Sequence, residues 1–211
     1  NNPEDPTTRN ILKTMANLGI QYYRMGNLKY DDKKSIPENL EVHKTTFKNL
    51  EKLNKEYGVT GNYQNHSGIN VGGPVWDLYE LLKDCDPNFI GVQYDIRHAT
   101  VEGGVSWPLG MKLLAPWIRT CDIKDFVWNK DKNGKWKIKN VSLGEGMVDF
   151  KQYFESYKTL NIEGPVSIHY EYDLGGAEHG NRNPTMSLNE INKHLKKDIV
   201  FLKEQFKKYQ L

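Results

Sequence analysis

Four short stretches of this chain join an apolar run to a polar, chemically capable tail. They are Tyr63-Gln64-Asn65-His66, Tyr94-Asp95-Ile96-Arg97-His98, Cys121-Asp122-Ile123-Lys124-Asp125 and Ile168-His169-Tyr170-Glu171-Tyr172. The tails carry carboxylates, imidazoles and an amine, the side chains that move protons in enzyme sites. Helix-like sequence separates each stretch from the next. If the apolar runs are parallel neighbouring strands, all four tails lie on one face of one sheet. A single such segment would mean little; four in order along 211 residues are hard to obtain by accident.

Elements that would position these tails are legible from periodicity and caps. A first helix is expected from about Asp5 to Leu18, with Ile11, Leu12, Met15 and Leu18 inward and Gly19 as its stop. A strand over Ile20–Met25 follows, ending near Arg24. Ser35 and Glu38 form a capping box for a helix with Ile36, Leu40, Phe47, Leu50, Leu53 and Tyr57 inward, stopped by Gly58. Gly58–Gln64 is the second strand. A helix from Pro74 to Lys83, with Val75, Leu78, Leu81 and Leu82 inward, leads to a third strand over Phe89–Ile96. A short helix from Trp107 to Ala115, stopped by Pro116, precedes a fourth over Trp117–Phe126. The rhythm then breaks. Asn133-Gly134 between alternating segments signals a hairpin inserted near residues 126–141, reaching over the open face. A helix over Val148–Leu160 presents Phe150, Tyr153, Phe154 and Tyr157 on one side, and Pro165–Tyr172 is the fifth strand. Ser187 and Glu190 make a second capping box. The last helix then turns Leu188, Ile191, Leu195, Ile199, Leu202 and Phe206 inward.

Composition narrows the partners. The net charge is +2, so nothing points to a nucleic acid or a polybasic membrane patch. No apolar run is long enough to span a bilayer, and the first residues lack the basic flank and apolar core of a signal peptide. A soluble protein is expected, in the cytoplasm or, with an upstream signal, the periplasm. Cys85 and Cys121 make neither a metal-type pair nor a disulfide framework and read as buried thiols. No repeat, linker or low-complexity tract appears, so residues 1–211 read as a single domain.

Strands alternating with helices predict an α/β fold with a parallel sheet and right-handed crossovers. Polar tails gathered on one face favour a barrel, whose C-terminal face is the usual seat of chemistry. The chain resembles the sugar phosphate isomerase/epimerase family, the xylose isomerase-like TIM barrels. The likeness covers nearly the whole chain. It rests on Leu18-Gly19-Ile20, Asn65-His66-Ser67-Gly68, Asp95 with His98, Ile123-Lys124-Asp125, Gly144-Glu145-Gly146 with Asp149, and Glu171. It implies a (β/α)8 barrel of which this chain holds the last five strands, the fourth to the eighth. An upstream segment or a homo-oligomer would then cover the edges.

The resemblance also implies a sugar isomerase or epimerase that uses a divalent metal and a carboxylate base to move a proton next to a carbonyl. The family's ligands are Glu, Asp, His and Glu from successive strand ends. Here they map to Gln64, Asp95, Asp122 and Glu171. Two positions depart from that pattern. Gln64 offers a neutral oxygen but cannot act as a base. Asp122 in place of an imidazole shifts preference toward Mg²⁺ or Mn²⁺.

Each assignment has a plainer rival. Glu171 is the expected catalytic acid/base and should be buried beside a partner; Lys124 would hold an enediolate oxygen, or simply neutralise Asp122 in a buried pair. His66, His98, His169 and Arg24 are expected to contact the substrate, against capping, packing or a structural ion pair. Gly144-Glu145-Gly146 and Gly175-Gly176 are turn glycines or, on the sharper reading, a phosphate cradle. Trp107, Trp128 and Trp136 stack on a sugar ring or merely pack. Glu178 and His179 sit in a long loop within reach of the site. Three functions stay open: the isomerase or epimerase, a lyase or dehydratase on the same scaffold, and a carbohydrate-binding barrel that has lost its chemistry.

Overall fold

A computed structural model describes residues 2–211. The chain divides into two compact units. One runs to Cys121 and includes Ile162–Pro165; the other comprises Asp122–Asn161 and Val166–Leu211. In the first unit the strands β1 (Tyr22–Arg24), β2 (Thr60–Gln64), β3 (Ile90–Asp95) and β4 (Ile118–Ile123) hydrogen-bond in that order. In the second, β5 (Asp125–Lys130) pairs with β6 (Trp136–Val141), and after β7 (Val166–Ile168) the His169 amide donates to the Ile123 carbonyl at 3.0 Å.

In the first unit, α1 (Pro6–Asn17) starts where Asp5 accepts from the Thr7 amide at 2.8 Å, with proline in the first turn. Leu12 and Met15 pack against Leu53 and Val59. Ile11 and Leu18, expected inward, are exposed, because the neighbours meet only the Leu12–Met15 stripe. The strand β1 (Tyr22–Arg24) leads to α2 (Ile36–Tyr57), whose Ser35–Glu38 capping box forms in both directions and whose Gly58 stop has φ 66°. Phe47, Leu50 and Leu53 are buried as expected, while Ile36 is exposed.

Two buried amides on α2 escaped the apolar pattern. Asn39 accepts from the Asp31 amide, and Asn54 donates to the Phe89 carbonyl at 2.7 Å while accepting from the Tyr23 hydroxyl. Each ties the helix to an adjoining loop or strand. Then follow β2 (Thr60–Gln64), α3 (Val75–Leu82) and β3 (Ile90–Asp95). β2 runs parallel to β1 and β3, with Asn62 opposite Gly91. A Cβ on Gly91 would lie 2.5 Å from the Trp117 carbonyl, so only glycine fits.

Next come α4 (Ile96–Gly103), α5 (Trp107–Leu114) and β4 (Ile118–Ile123). The third strand was expected to run to Ile96. It stops at Asp95, whose carboxylate accepts from the His98 amide at 3.0 Å and starts α4 without an intervening loop. Both cysteines are buried, as expected, and burial pushes the Cys85 thiol up to about 12.

In the second unit, β5 (Asp125–Lys130) and β6 (Trp136–Val141) form the anticipated antiparallel hairpin. Phe126, read as the end of the fourth strand, belongs to the hairpin and pairs with Asn140. Asp131 closes the turn by accepting from the Asn133 and Lys135 amides, and Gly134 takes φ 75°. Asp149 caps α6 (Phe150–Thr159). Its buried rings meet α7 (Leu188–Tyr209), with Phe150 against Phe201 and Phe154 against Phe206. The Ser187–Glu190 capping box is present.

Two expectations fail in this unit. The fifth strand, β7, covers only Val166–Ile168, and the chain turns where the Glu171 amide donates to the His169 carbonyl. On α7, Leu188 and Ile199 are exposed, while Asp198 is fully buried. Asp198 holds the Leu143 amide and the Tyr172 hydroxyl, so a polar contact rather than the apolar stripe fixes that face.

Candidate functional site

In the first unit the site is built from the carboxyl ends of β2 and β3. Asn65 and Asp95 lock these ends together: the Asp95 amide donates to Asn65 Oδ1 at 2.7 Å, and Asn65 Nδ2 donates to the Asp95 carbonyl at 3.0 Å. Gln64 Nε2 donates to Asp95 Oδ2 at 3.1 Å, which turns the amide oxygen to its other side. Gln64, Asp95 and His98 are all buried.

His98 Nδ1 lies 3.1 Å from the Ser67 amide, 2.7 Å from Ser67 Oγ and 3.1 Å from an Arg97 guanidinium nitrogen. Amide and guanidinium only donate, so Nδ1 is an acceptor and the ring proton sits on Nε2. Nε2 faces Asp95 Oδ2 at 3.6 Å. The His66 ring packs on His98 with centroids 4.0 Å apart. Arg24, at the end of β1, is exposed.

In the second unit the end of β4 and the segment after β7 carry polar groups. Lys124 is buried, and its Nζ lies 2.7 Å from Glu171 Oε1. His169 bridges two acids, with Nε2 3.2 Å from Asp122 Oδ1 and Nδ1 3.5 Å from Glu171 Oε1. Those two carboxylates, Asp122 first, push the imidazole up to about 9. The hairpin contributes Asn140, whose Nδ2 donates to the Glu171 carbonyl at 3.2 Å and lies 3.4 Å from Oε2.

Glu171 was expected to be buried. It is instead held by three side chains while its own side chain remains 39% exposed, because the strand ends at Ile168 and the turn lifts the carboxylate toward solvent. A cavity of about 450 Å³ beside it is bounded by His169, Tyr170, Leu174, Ile191 and Leu195.

Other expectations are corrected. The amides of Gly144 and Gly146 do form a cradle, but its anion is Asp125, whose carboxylate also accepts from Phe126 and Val148. Burial pushes that carboxyl up and the four donors pull it down. The Leu174 and Gly176 amides likewise hold Glu178, which occupies that acid within its loop. Trp107 is buried and packs; Trp128 and Trp136 are exposed. Asn65, Ser67 and Asn140 were not singled out as site residues. Only Asn65 and Ser67, in the quoted strand tail and its loop, carried a signal.

The donor chemistry suits a hard or borderline divalent cation. In the second unit Asp122 is a buried carboxylate, and His169 adds an imidazole 3.2 Å from it. Among the described residues no helix is long and apolar enough to cross a membrane.

Comparison with known proteins places this arrangement in context. An uncharacterised protein of Methanocaldococcus jannaschii is 24% identical over 142 residues, which is 63% of this chain and 44% of the relative. The chain thus spans less than half of that relative's length. The zinc-bound IOLI protein superposes with a TM-score of 0.73 at 18% identity, covering 96% of this chain and 69% of that one. A xylose isomerase domain protein from Planctomyces limnophilus gives 0.69 at 17% identity, covering 97% and 64%. D-allulose 3-epimerase from Methylomonas sp. gives 0.66 at 16% identity, covering 93% and 67%. At such identities the likeness is one of fold. The family model of the xylose isomerase-like TIM barrel matches residues 7–204, and the chain belongs to that family.

Proposed function

We propose that this chain is a sugar isomerase-like enzyme that transfers a proton next to a carbonyl of a sugar or sugar derivative with a divalent metal. Its five strands correspond in this reading to the fourth to eighth of the barrel. Asp122 and His169, 3.2 Å apart in the second unit, are the principal metal ligands, and by the family's ligand order Asp95 and Gln64 would supply the others. This revises the sequence expectation, which gave His169 to the substrate and counted Glu171 as a ligand. A bound Mg²⁺ or Mn²⁺ would polarise the carbonyl and its neighbouring hydroxyl and so acidify the carbon between them.

The chain's own residues handle the proton. The observation that carries the reading is the Glu171 carboxylate, solvent-accessible yet pinned by Lys124, His169 and Asn140. A base must be both reachable and fixed in direction, and Glu171 is both. Lys124 neutralises the carboxylate before the reaction and, once Glu171 takes the proton, is left to stabilise the charge that develops on substrate oxygen. His98, oriented by Asp95 and Ser67, donates from Nε2 to a substrate hydroxyl, and His66 packs beside it.

Gln64 favours one-base chemistry. Where the family has a second carboxylate, this side chain cannot take a proton. Isomerisation or elimination by a single base therefore fits better than epimerisation by two. The test is solvent deuterium incorporation into ketoses, aldoses and 3-keto sugars with metal-loaded protein, followed by product analysis. Exchange that survives in Glu171→Gln would refute the assignment of the base. Absence of both exchange and metal would leave a carbohydrate-binding barrel.

A further inference from the structure

The β5–β6 register sets Phe126 opposite Asn140, Trp128 opposite Ile138 and Lys130 opposite Trp136. Strand alternation puts all six side chains on one face of the hairpin. One end of that face reaches the site, because Asn140 contacts Glu171. From there the face continues through Trp128 and Ile138 to Trp136, four residues further along the strand, or about 13 Å. Trp128 stands edge-on against Phe126, with centroids 6.0 Å apart, and is 41% exposed. Trp136 is 58% exposed, with the Lys130 ammonium 5.0 Å from its ring centroid. Two exposed indoles in line with a candidate base, Trp136 with Lys130 over one side of its ring, call for an occupant.

We propose that this face is a second sugar subsite, so that the substrate is a glycoside of at least two rings rather than a free monosaccharide. The proposal rests on the proton-transfer reading above, which places the reacting ring at Glu171. An indole presents a negative π face, and the C–H faces of a pyranose present the complementary positive edge. Lys130, beside Trp136 on the same face, supplies donors for the ring hydroxyls. The surroundings argue against a second copy of this chain. Lys130 stands on this same face, so two copies packed face to face would bring like charges together.

Binding of glucose, cellobiose, maltose and trehalose to metal-loaded protein tests this by calorimetry. At least one disaccharide should bind more tightly than glucose. Trp128→Ala and Trp136→Ala should each reduce that preference roughly threefold to tenfold, and Trp136→Phe should keep most of it. Circular dichroism checks that the variants fold.

Equal affinity for glucose and every disaccharide, or a preference untouched by both alanine variants, overturns the subsite. So does a dimer in sedimentation that Trp136→Ala dissolves, or salt-sensitive oligothymidylate binding that the same variant removes. Glu171→Gln separates the two readings. A Trp-dependent disaccharide preference without any proton exchange leaves the subsite standing and sinks the isomerase reading. Exchange on monosaccharides with no disaccharide preference does the reverse.

Discussion

Lys124 Nζ lies 2.7 Å from Glu171 Oε1, and the two partners have unequal exposure: the lysine side chain is 2% exposed and the glutamate 39%. A buried ammonium needs an anion, and Glu171 supplies one to Lys124. The pair therefore does two jobs. It satisfies a cation at the end of β4, and it aims an accessible carboxylate outward.

The unequal pair yields the first prediction. Glu171→Gln should lower turnover by about 10²–10⁴-fold, the usual contribution of a general base, with little change in KM. Lys124→Met keeps the buried stem and removes the charge, so it too should lower kcat while leaving the unfolding midpoint near that of the parent. Steady-state kinetics and urea titration together report this. A kcat unchanged in both variants would mean that the proton is handled elsewhere.

Asp125 has a structural role that can be separated from catalysis. Four backbone amides, from Phe126, Gly144, Gly146 and Val148, converge on its carboxylate. Asp125→Ala strands those donors, and stability should fall by on the order of 3 kcal/mol or more. Gly146→Ala should also destabilise, since its Cβ would lie 2.3 Å from Asp125 Oδ1. Urea unfolding checks both, and an Asp125→Ala midpoint equal to the parent's would rule out the cradle as a source of stability.

Local signals carried most of the elements. Both capping boxes and the Asn133-Gly134 hairpin are encoded within a few residues, and they form as the pattern dictates. Asp95, Asp122, Lys124 and Glu171 were legible because each follows an apolar run. The misses have non-local causes. α4 was hidden because Asp95 ends a strand and caps a helix at once. Asn140 meets Glu171 across 31 residues, which no periodicity reveals. The glycine cradle was visible as a pattern, but its anion, Asp125, came from 19 and 21 residues away. Asp198 sits at a position where the helical stripe calls for an apolar residue, and only the fold shows the hydroxyl and amide that justify it.

Asp198 gives a pH prediction. Burial pushes its carboxyl above the ordinary value, outweighing the Tyr172 hydroxyl and the Leu143 amide. The folded protein thus holds this proton more tightly than the unfolded chain, whose value is about 3.9. Its contribution to stability is greatest below that value and is lost as pH rises through the raised folded value. Asp198→Asn cannot ionise, so it should gain stability relative to the parent between pH 4 and pH 7. Urea midpoints across that range test this, and a gap that does not change with pH would contradict the inferred direction.

The last prediction concerns the metal. If Asp95, Asp122 and His169 share one divalent cation, binding must stabilise the folded state, because the unfolded chain has no such cluster. Mn²⁺ or Mg²⁺ at 100 times its dissociation constant should then add about 2.7 kcal/mol, read as a rise in Tm over EDTA-treated protein. Asp122→Asn should abolish most of that rise, since it removes the charge from a wholly buried ligand. Asp95→Asn is the stricter test. Asparagine caps helices about as well as aspartate, so α4 should survive while the cation is lost. A metal-induced rise that persists in both variants would place the cation elsewhere; no rise in the parent would remove metal from the mechanism and leave Glu171, Lys124 and His98 to account for any proton transfer alone.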